Sequence, residues 1–348
     1  MAPYIQTKEA FVELGNYLTD FCEKCYTDSG DADANFLHVI DLAQQQNGWF
    51  TKENILFSLN EWGKSLTDEN IRTWLANYDI QEVGTPKTVG IVMAGNIPLV
   101  GFHDFMCVLL SGHKVLAKLS SNDKVLLPFL AKYLIQKEPS LSTRIQFVEG
   151  KMEGFDAVIA TGSNNTSRYF EYYFGKKPNI IRRNRNSVAI ITGNENQEEL
   201  ETLGEDIFRY FGLGCRNVSK IFVPEEYDFE PFFNAIYLQK EIINHHKYAN
   251  NYDYNKAVYL MSDLKILDNG FMVLKEDTSF SSPISVLFYE QYSSLEDLKK
   301  QLQEQEDQIQ CVVSHRPTLN EVGFGDTQKP KLHDYADGVD TLEFLLKL

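Results

Sequence analysis

The residues 211–217 carry the side chain best suited to nucleophilic chemistry in this chain, the thiol of Cys215. Apolar residues at helical spacing predict a helix over 196–211, and an apolar run predicts a buried strand over 218–223. Cys215 therefore lies on a turn whose glycines leave the thiol open to a substrate, and neighbouring Arg216 favours the thiolate. The alternative is a small hydrophobic residue that fills the turn, because cysteine is among the most buried residue types.

Two further candidates for chemistry follow predicted strands. Asn96 lies in a turn of small residues, 93–98, where its amide could donate a hydrogen bond to a developing oxyanion. Lys118 ends the predicted strand 114–119, where its charge would face a nucleotide groove. Each has a structural alternative, because asparagine favours turns and a lysine at a strand end is commonly a solvated charge.

The residues 161–166 form a third polar turn, which contains Thr161, Gly162 and Ser163 and leads into a predicted helix over 167–174. Hydroxyl and amide groups at a helix N-terminus suit a pyrophosphate, although the same residues could serve as an N-cap alone. One such turn indicates little. Three at successive strand ends predict a nucleotide site.

Strands alternate with helices in the part of the chain that carries these turns. Because neighbouring parallel strands need crossover connections, this alternation predicts a parallel α/β sheet of the Rossmann type, which binds nucleotides beyond the carboxyl ends of its strands. The predicted strands are 87–93, 114–119, 144–148 and 157–160. A helix is predicted within 98–110 and another over 122–136.

A second α/β unit follows this sheet, and a helical part precedes it. The predicted strands of the second unit are 187–192, 218–223, 271–275, 284–288 and 309–314, with helical patterns over 228–246 and 294–305. The N-terminal helices are predicted over 7–26, 33–45, 52–65 and 68–78, with Thr51 as an N-cap.

These patterns predict four parts of the chain. A helical N-terminal layer, 1–85, packs on a dinucleotide-binding domain, 86–193. A catalytic domain, 194–320, contains Cys215, and a C-terminal return segment, 321–348, completes the chain. The last residues, 341–348, read equally well as a strand or as a docking helix.

Composition narrows the class of protein. The 348 residues include 43% hydrophobic residues, enough for a sizeable core, and the net charge of -16 argues against nucleic acid or an anionic membrane as a partner. No apolar run approaches the ~18 residues that span a bilayer, and residues 1–10 lack a signal-peptide pattern. An odd number of cysteines then predicts reduced thiols and a cytoplasmic protein, with Cys22, Cys25, Cys107 and Cys311 as core residues.

Taken together, these motifs resemble the aldehyde dehydrogenase superfamily. The segment 89–98 is similar to its strand-turn motif with an Asn before an apolar residue and Pro, Lys118-Leu119-Ser120 to its Lys-Pro-Ser, and Thr161-Gly162-Ser163 to its Thr-Gly-Ser. A closer resemblance is to the bacterial acyl-CoA reductases, the fatty-acyl thioester reductases of bioluminescence. The segments 94–105 and 334–339 are typical of that family, and the resemblance covers most of the chain.

The resemblance implies a fold, a site and a reaction. The fold is aldehyde dehydrogenase-like, with Cys215 as nucleophile and Asn96 beside the oxyanion. The reaction is reduction of an acyl-CoA or acyl-protein thioester to the aldehyde through an acyl-cysteine. It also implies a homo-oligomer and an acyl donor such as a synthetase or acyltransferase. The implied cofactor contacts are Lys118, Ser120, Ser121, Thr161, Gly162 and Ser163.

Departures from the superfamily pattern refine this reading. The stretch 182–186 lacks the glutamate that activates water in hydrolytic members, so an acyl-cysteine should hydrolyse slowly. The stretch 279–283 lacks the glutamate that binds a ribose. Ser121 replaces an acidic residue, which favours NADPH over NADH because no carboxylate repels a 2′-phosphate.

Two other functions are compatible with the sequence. One is an NAD(P)-dependent aldehyde dehydrogenase that works in the oxidative direction with another base. The other is an acyl-binding partner protein without catalysis. The proton donor is also open, and the candidates are His103, His245, His246 and His315.

Overall fold

A computed structural model describes residues 3–27, 30–80, 83–318 and 321–348. The chain forms two compact units, which are described separately. Unit 1 comprises residues 1–183 together with 331–348, and unit 2 comprises residues 184–330. The four-part division at residues 85, 193 and 320 stays a prediction.

Unit 1 begins with four helices, as predicted, and the fourth ends three residues earlier than expected. Thr51 is the N-cap of the third, where its side chain accepts a hydrogen bond from the Asn54 N–H. The helices are α1 (Pro3–Tyr26), α2 (Ala34–Gln46), α3 (Lys52–Ser65) and α4 (Asp68–Leu75).

The sheet of unit 1 is entirely parallel, as the alternation predicts. The elements are β1 (Thr88–Val92), α5 (Phe102–Leu110), β2 (Lys114–Lys118), α6 (Leu126–Lys137), β3 (Ile145–Phe147), β4 (Ala157–Thr161), α7 (Asn164–Phe174) and β5 (Asn179–Arg182). The strand order is β3-β2-β1-β4-β5. From β1 the chain adds β2 and β3 on one side, and it then crosses to add β4 and β5 on the other. Parallel sheets bind ligands at such a switch point, which here lies between β1 and β4.

One hydrophobic core joins the N-terminal helices to this sheet. The Phe11 ring of α1 meets the Phe102 ring of α5 edge-on at 6.1 Å, and the Phe36 ring of α2 stacks on the Phe129 ring of α6 at 4.3 Å. Aromatic pairs of this geometry add about 1 kcal/mol beyond the area they bury. The N-terminal helices therefore stabilise the sheet that carries the three polar turns.

Unit 2 contains a second sheet. The elements of this unit are β6 (Asn186–Ile190), α8 (Gln197–Phe208), β7 (Val218–Pro224), α9 (Glu230–Ile236), α10 (His246–Met261), β8 (Ile266–Asp268), β9 (Val273–Glu276), β10 (Val286–Tyr292), α11 (Leu295–Glu304), β11 (Ile309–Ser314) and β12 (Val322–Gly323). The strand order is β12-β11-β6-β7-β10-β9-β8, in which only the β8–β9 pair is antiparallel among the described strands. Helix α10 covers a stretch rich in tyrosine that was not predicted as a helix.

The C-terminal segment folds as a helix, α12 (Thr341–Leu346), so the strand alternative is wrong. It belongs to unit 1, where the His113 Nε2 lies 2.9 Å from the Leu345 carbonyl oxygen. Its apolar residues Leu342 and Leu345 are fully buried.

The buried thiols are where the sequence predicts them. Cys22, Cys107 and Cys311 are buried, and Cys25 is half-buried. Burial raises the pKa of the Cys22 thiol to about 12, which keeps it protonated and unreactive. In the described parts of the chain, every helix is too short or too polar to cross a lipid bilayer.

Candidate functional site

In unit 1, the three predicted polar turns meet at one edge of the sheet. Val92 at the end of β1 pairs with Lys118 of β2 on one side and with Ala160 of β4 on the other. The turns that follow these strands therefore begin level with one another. Asn96 is exposed on the first of them. Lys118 is half-buried, and its ammonium group has no ion pair with any residue that the structure describes.

Glycine is required where two of these turns approach each other. A Cβ added to Gly95 would lie 2.6 Å from both Cβ and Oγ of Ser120, closer than real contacts allow. The Ser120 hydroxyl in turn accepts a hydrogen bond from the Asn122 N–H at 3.2 Å. The turn with Asn96 is thus packed directly on the turn that contains Ser120 and the exposed Ser121.

The third turn starts helix α7. Ser163 is its N-cap, and the Ser163 Oγ accepts a hydrogen bond from the Thr166 N–H at 3.2 Å. A Cβ on Gly162 would lie 2.8 Å from the Phe170 ring, so glycine lets the helix pack close to β4. The remaining N–H groups of the first turn of α7 and the positive end of the helix dipole suit an anion.

These features fit a dinucleotide with its pyrophosphate at the helix N-terminus. Parallel sheets bind nucleotides at this edge. It carries the cation of Lys118 and the start of a helix at Ser163. Gly95 and Gly162 let the backbone of the turns pack closely against neighbouring residues. Ser121 has no negative charge to repel a phosphate.

A buried carboxylate that the sequence did not single out supports the turn of Asn96. The Asp123 Oδ2 accepts a hydrogen bond from the Leu99 N–H at 2.9 Å, and Leu99 has a left-handed φ of 59°. The Asp123 Oδ1 is buried without a hydrogen-bond partner among the described residues. Burial raises the pKa of Asp123 to about 6. Only the spacing of Asp123 after the Lys-Leu-Ser segment could have indicated this role.

In unit 2, Cys215 is exposed on a closed turn. The Asn217 N–H donates to the Gly214 carbonyl at 3.0 Å, and the Gly214 N–H donates to the Asn217 Oδ1 at 2.8 Å. The Asn217 side-chain NH₂ group donates to the carbonyls of Asp206 and Arg209 at 3.0 and 2.8 Å. The buried Asn217 therefore joins residues 211–217, here called the cysteine turn, to the end of α8.

The backbone before this turn differs from the prediction. Helix α8 ends at Phe208 and not at Phe211, because Tyr210 and Phe211 adopt left-handed φ angles of 55° and 59°. Gly212 continues the run with φ of 75°. A non-glycine residue in this region costs about 1–2 kcal/mol. Strained backbone of this kind is common beside functional sites.

Strand β6 and a segment distant in sequence hold the other side of the turn. The Ser187 hydroxyl at the start of β6 donates to the Cys215 carbonyl at 2.9 Å. The Arg216 Nε donates to the Thr327 carbonyl, while buried Asp206 accepts from the Thr327 N–H and hydroxyl at 3.0 and 2.8 Å. Burial raises the pKa of Asp206 to about 6. Arg216 therefore has a structural partner, and its effect on the thiol stays a prediction.

A small cavity of about 30 Å³ adjoins the cysteine turn. Its walls include Phe211, Gly212 and Tyr248, together with Pro283 from the altered 279–283 stretch. That stretch is held beside β7, because the Ser219 hydroxyl donates to the Phe280 carbonyl at 2.7 Å. The structure therefore brings 279–283 close to the cysteine turn. A volume of this size holds about one water molecule.

The candidate histidines lie in different environments. In unit 1, the His103 Nε2 lies 2.9 Å from the Leu332 carbonyl oxygen, and burial lowers the pKa of His103. In unit 2, the His245 ring packs on Phe211 at 4.2 Å, and His246 is exposed. His315 follows the carboxyl end of β11, whereas Cys215 precedes the amino end of β7. Strands β7 and β11 have seven and six residues, so about 20 Å separates these two edges of the sheet.

Comparison with known proteins gives one family and one fold. The family model for acyl-CoA reductase (LuxC) matches residues 49–317. A search of curated proteins found no match.

Several solved structures share the fold. An indole-3-acetaldehyde dehydrogenase in complex with NAD⁺ is 11% identical, with a TM-score of 0.64, and the match covers 90% of this chain and 72% of the dehydrogenase chain. The aldehyde dehydrogenase KauB from Pseudomonas aeruginosa is 12% identical, with a TM-score of 0.63, and the match covers 92% of this chain and 73% of the KauB chain. An aldehyde dehydrogenase from Bacillus cereus, in complex with NAD⁺, is 14% identical with a TM-score of 0.59. That match covers 92% of this chain and 74% of the dehydrogenase chain. The predicted aldehyde dehydrogenase-like fold is confirmed.

Proposed function

This chain belongs to the acyl-CoA reductase (LuxC) family, and from that premise we propose that it reduces an acyl thioester to the aldehyde through an acyl-cysteine at Cys215. Membership of the family makes it an oxidoreductase that acts on acyl groups and aldehydes. The finer proposal names an acyl-CoA or acyl-protein thioester as substrate, NADPH as cofactor, and Cys215 as the acyl acceptor. A cytoplasmic location, a homo-oligomer and an acyl-supplying synthetase or acyltransferase remain predictions.

The observation that carries the proposal is the exposure of Cys215. It is the exposed thiol among the described cysteines, whereas Cys22, Cys107 and Cys311 are buried. Its turn is fixed on one side by Asn217 and on the other by Ser187. A thiol that is accessible and whose backbone is held in place suits repeated attack on a carbonyl carbon.

In the proposed acyl transfer, the Cys215 thiolate attacks the thioester carbonyl carbon. A new carbon–sulfur bond forms, the bond to the carrier sulfur breaks, and the carrier leaves as a thiolate. The Asn96 side-chain amide and the Cys215 backbone N–H donate hydrogen bonds to the oxyanion of the tetrahedral intermediate. Donors of this kind are each worth about a hundred- to a thousandfold in rate.

The unit 1 edge around Lys118 and Ser163 is proposed to hold the cofactor. A bound nicotinamide would supply the hydride that converts the acyl group to the aldehyde level. The NAD⁺ complexes of aldehyde dehydrogenases with this fold support a nicotinamide cofactor. NADPH is preferred because Ser121, unlike an acidic residue, does not repel a 2′-phosphate.

Slow hydrolysis of the acyl-cysteine is the second requirement. The stretch 182–186 contains no carboxylate that could activate water. Its first residue, Arg182, is buried in an ion pair with Asp104. The stretch 279–283, beside the cysteine turn, also lacks a carboxylate. We therefore expect the acyl group to persist long enough for reduction.

The proposal is tested by turnover. The chain is incubated with a series of acyl-CoA thioesters and NADPH, and cofactor oxidation and aldehyde formation are followed together. We expect both at equal rates, lost in Cys215→Ala and kept in the matched variant Cys25→Ala. Brisk oxidation of aldehydes with NAD⁺, with no thioester reduction, would instead identify an oxidative enzyme. Thioester binding without any turnover would identify an acyl-binding protein.

A further inference from the structure

Unit 2 contains a second cleft, at the edge of its sheet opposite to Cys215. Ile190 at the end of β6 pairs with Ser314 at the end of β11. The chain leaves β6 for β7 on one side, while β11 lies on the other, so this is the point where the connections diverge. Parallel sheets commonly bind ligands at such a point, beyond the carboxyl ends of the strands.

The cleft, here called the β6/β11 cleft, has a volume of about 580 Å³, within the range of small-molecule sites. Apolar walls come from Ile190 and Leu295, and polar groups come from both strand ends and from α11. The residues that line it are Ile190, Thr192, Asn194, Leu295, Lys299, Ser314, His315, Arg316 and Glu321.

A buried acid–histidine pair lies at its base. The His315 Nδ1 lies 3.0 Å from the Glu195 Oε1, and the two side chains are 8% and 1% exposed. Glu195 is held in turn by the Thr192 and Gly193 N–H groups, which donate to it at 2.7 and 2.9 Å. This contact is close but does not have hydrogen-bond geometry, and it places the His315 ring beside Glu195 at the wall of the cleft.

The charge of Lys299, which also lines the cleft, is neutralised within the protein. The Lys299 ammonium lies 2.7 Å from the Glu321 Oε1, and the Ser314 hydroxyl donates to the Glu321 Oε2 at 2.8 Å. Arg316 is the cation of the cleft that has no ion pair with any described residue. The Arg316 guanidinium is therefore the cation that this cleft offers to a ligand, and it lies beside an apolar wall.

We propose that the β6/β11 cleft binds a small organic monocarboxylate. The carboxylate of the ligand contacts the Arg316 guanidinium beside the His315 ring, and its apolar body lies against Ile190 and Leu295. A guanidinium matches a carboxylate in a bidentate arrangement. One free cation fits a singly charged group better than a phosphate, which carries a higher charge and has no apolar part.

The test uses the full chain and octanoate as the probe, with inorganic phosphate as the comparison. Binding is measured by calorimetry, and the ring-proton NMR signals of His315 are followed during the titration. We expect octanoate to bind and to shift the His315 signals, and we expect phosphate to bind much more weakly. Arg316→Gln should weaken octanoate binding about tenfold or more, the usual effect of losing a charged hydrogen bond.

Three further variants make the result specific. Leu295→Glu should also weaken binding, because it adds a negative charge to the wall. Lys265→Gln is the matched control, since it removes an exposed positive charge of unit 2 that does not line the cleft, and it should bind octanoate normally. Cys215→Ala should bind normally as well, so this inference is independent of the proposed reaction. Unchanged octanoate affinity in Arg316→Gln, or phosphate bound as tightly as octanoate, would overturn it.

Discussion

Asp123 shows how one buried carboxylate can set the position of a proposed catalytic group. It holds Leu99 in a left-handed conformation, and that conformation shapes the turn on which Asn96 is exposed. One of its oxygens has no hydrogen-bond partner in the described structure, which is costly for a buried charge. At this scale the site depends on a residue that does not itself reach a substrate.

We expect this cost to appear as a pH dependence of the unfolding free energy, and Asp123→Asn is the variant that reveals it. The folded-state pKa of about 6 lies above the ordinary value of 3.8, so the stabilising contribution of neutral Asp123 is present at low pH and lost as pH rises through about 6. The asparagine has no such dependence. The unfolding free energy of the original chain relative to the variant should therefore fall by about 2.5 kcal/mol between about pH 4 and pH 8.

Urea unfolding of both proteins across this range measures the difference. Asp206 has a similar pKa, but it is present in both proteins and cancels from the comparison. A difference that stays constant with pH would show that Asp123 does not titrate in this window.

Asn96→Ala tests the proposed oxyanion contact. We expect kcat for thioester reduction to fall about a hundred- to a thousandfold, because one preorganised donor is lost, while the KM for the thioester changes little. Steady-state kinetics measure both constants. Asn250→Ala, at an exposed position of α10, is the matched control and should leave them unchanged. Equal rates in the two variants would remove Asn96 from the mechanism.

At the scale of elements, the end of α8 and the start of β7 together present Cys215. The left-handed residues Tyr210 and Phe211 turn the chain sharply, and Asn217 ties the new direction to the last carbonyls of the helix. Strain in one part of the turn is thus balanced by hydrogen bonds in another.

Asn217→Ala should loosen this junction. It removes the partners of two carbonyl groups and one N–H, so the unfolding free energy should fall by about 3 kcal/mol or more. A displaced thiol should also lower kcat by about tenfold or more under conditions where the variant is folded. Urea unfolding and turnover measure these effects, with the exposed Asn244→Ala as control. A stable variant with full kcat would contradict the role given to Asn217.

At the scale of the whole molecule, residues far apart in sequence complete unit 1. The buried Arg182 of β5 contacts both carboxylate oxygens of Asp104 on α5, one of them at 2.9 Å. Its NH2 group also donates to the Thr341 hydroxyl of α12 at 2.9 Å. This network joins the sheet, the helix after the Asn96 turn, and the C-terminal helix.

Asp104→Ala should destabilise the protein by about 3–5 kcal/mol, because it leaves the Arg182 charge buried without its partner. The double variant Asp104→Leu with Arg182→Met replaces both charges by apolar groups and should recover much of that loss. Chemical unfolding of the three proteins tests this. A double variant less stable than Asp104→Ala would indicate that the pair itself, and not the uncompensated charge, governs stability.

The sequence predicted most long elements, because their apolar periodicities are strong. Strand β5 was missed, since its four residues include only two apolar ones and end in Arg182. Helix α10 was not predicted, because its tyrosines lie on several of its faces and leave no single apolar stripe. The C-terminal residues 341–348 were ambiguous because so short a segment has little pattern of its own.

The site was predictable where chemistry depends on residue type and spacing. Strand-end turns with Asn96, Lys118 and Ser163 fall at one edge because parallel strands end together. The supports of the site were not predictable, because the contacts of Asp123 and Arg182 join residues that only the fold brings together. The left-handed Phe211 was likewise hidden, since nothing in its residue type favours that conformation.

The central claim is that Cys215 carries the acyl group, and mass spectrometry of the intact and digested protein tests it most directly. After incubation with an acyl-CoA in the absence of NADPH, we predict one added acyl mass on the peptide that contains Cys215, removed when NADPH is supplied. Cys25→Ala should give the same adduct and Cys215→Ala should give none. An adduct on another cysteine, or its persistence in Cys215→Ala, would contradict the account.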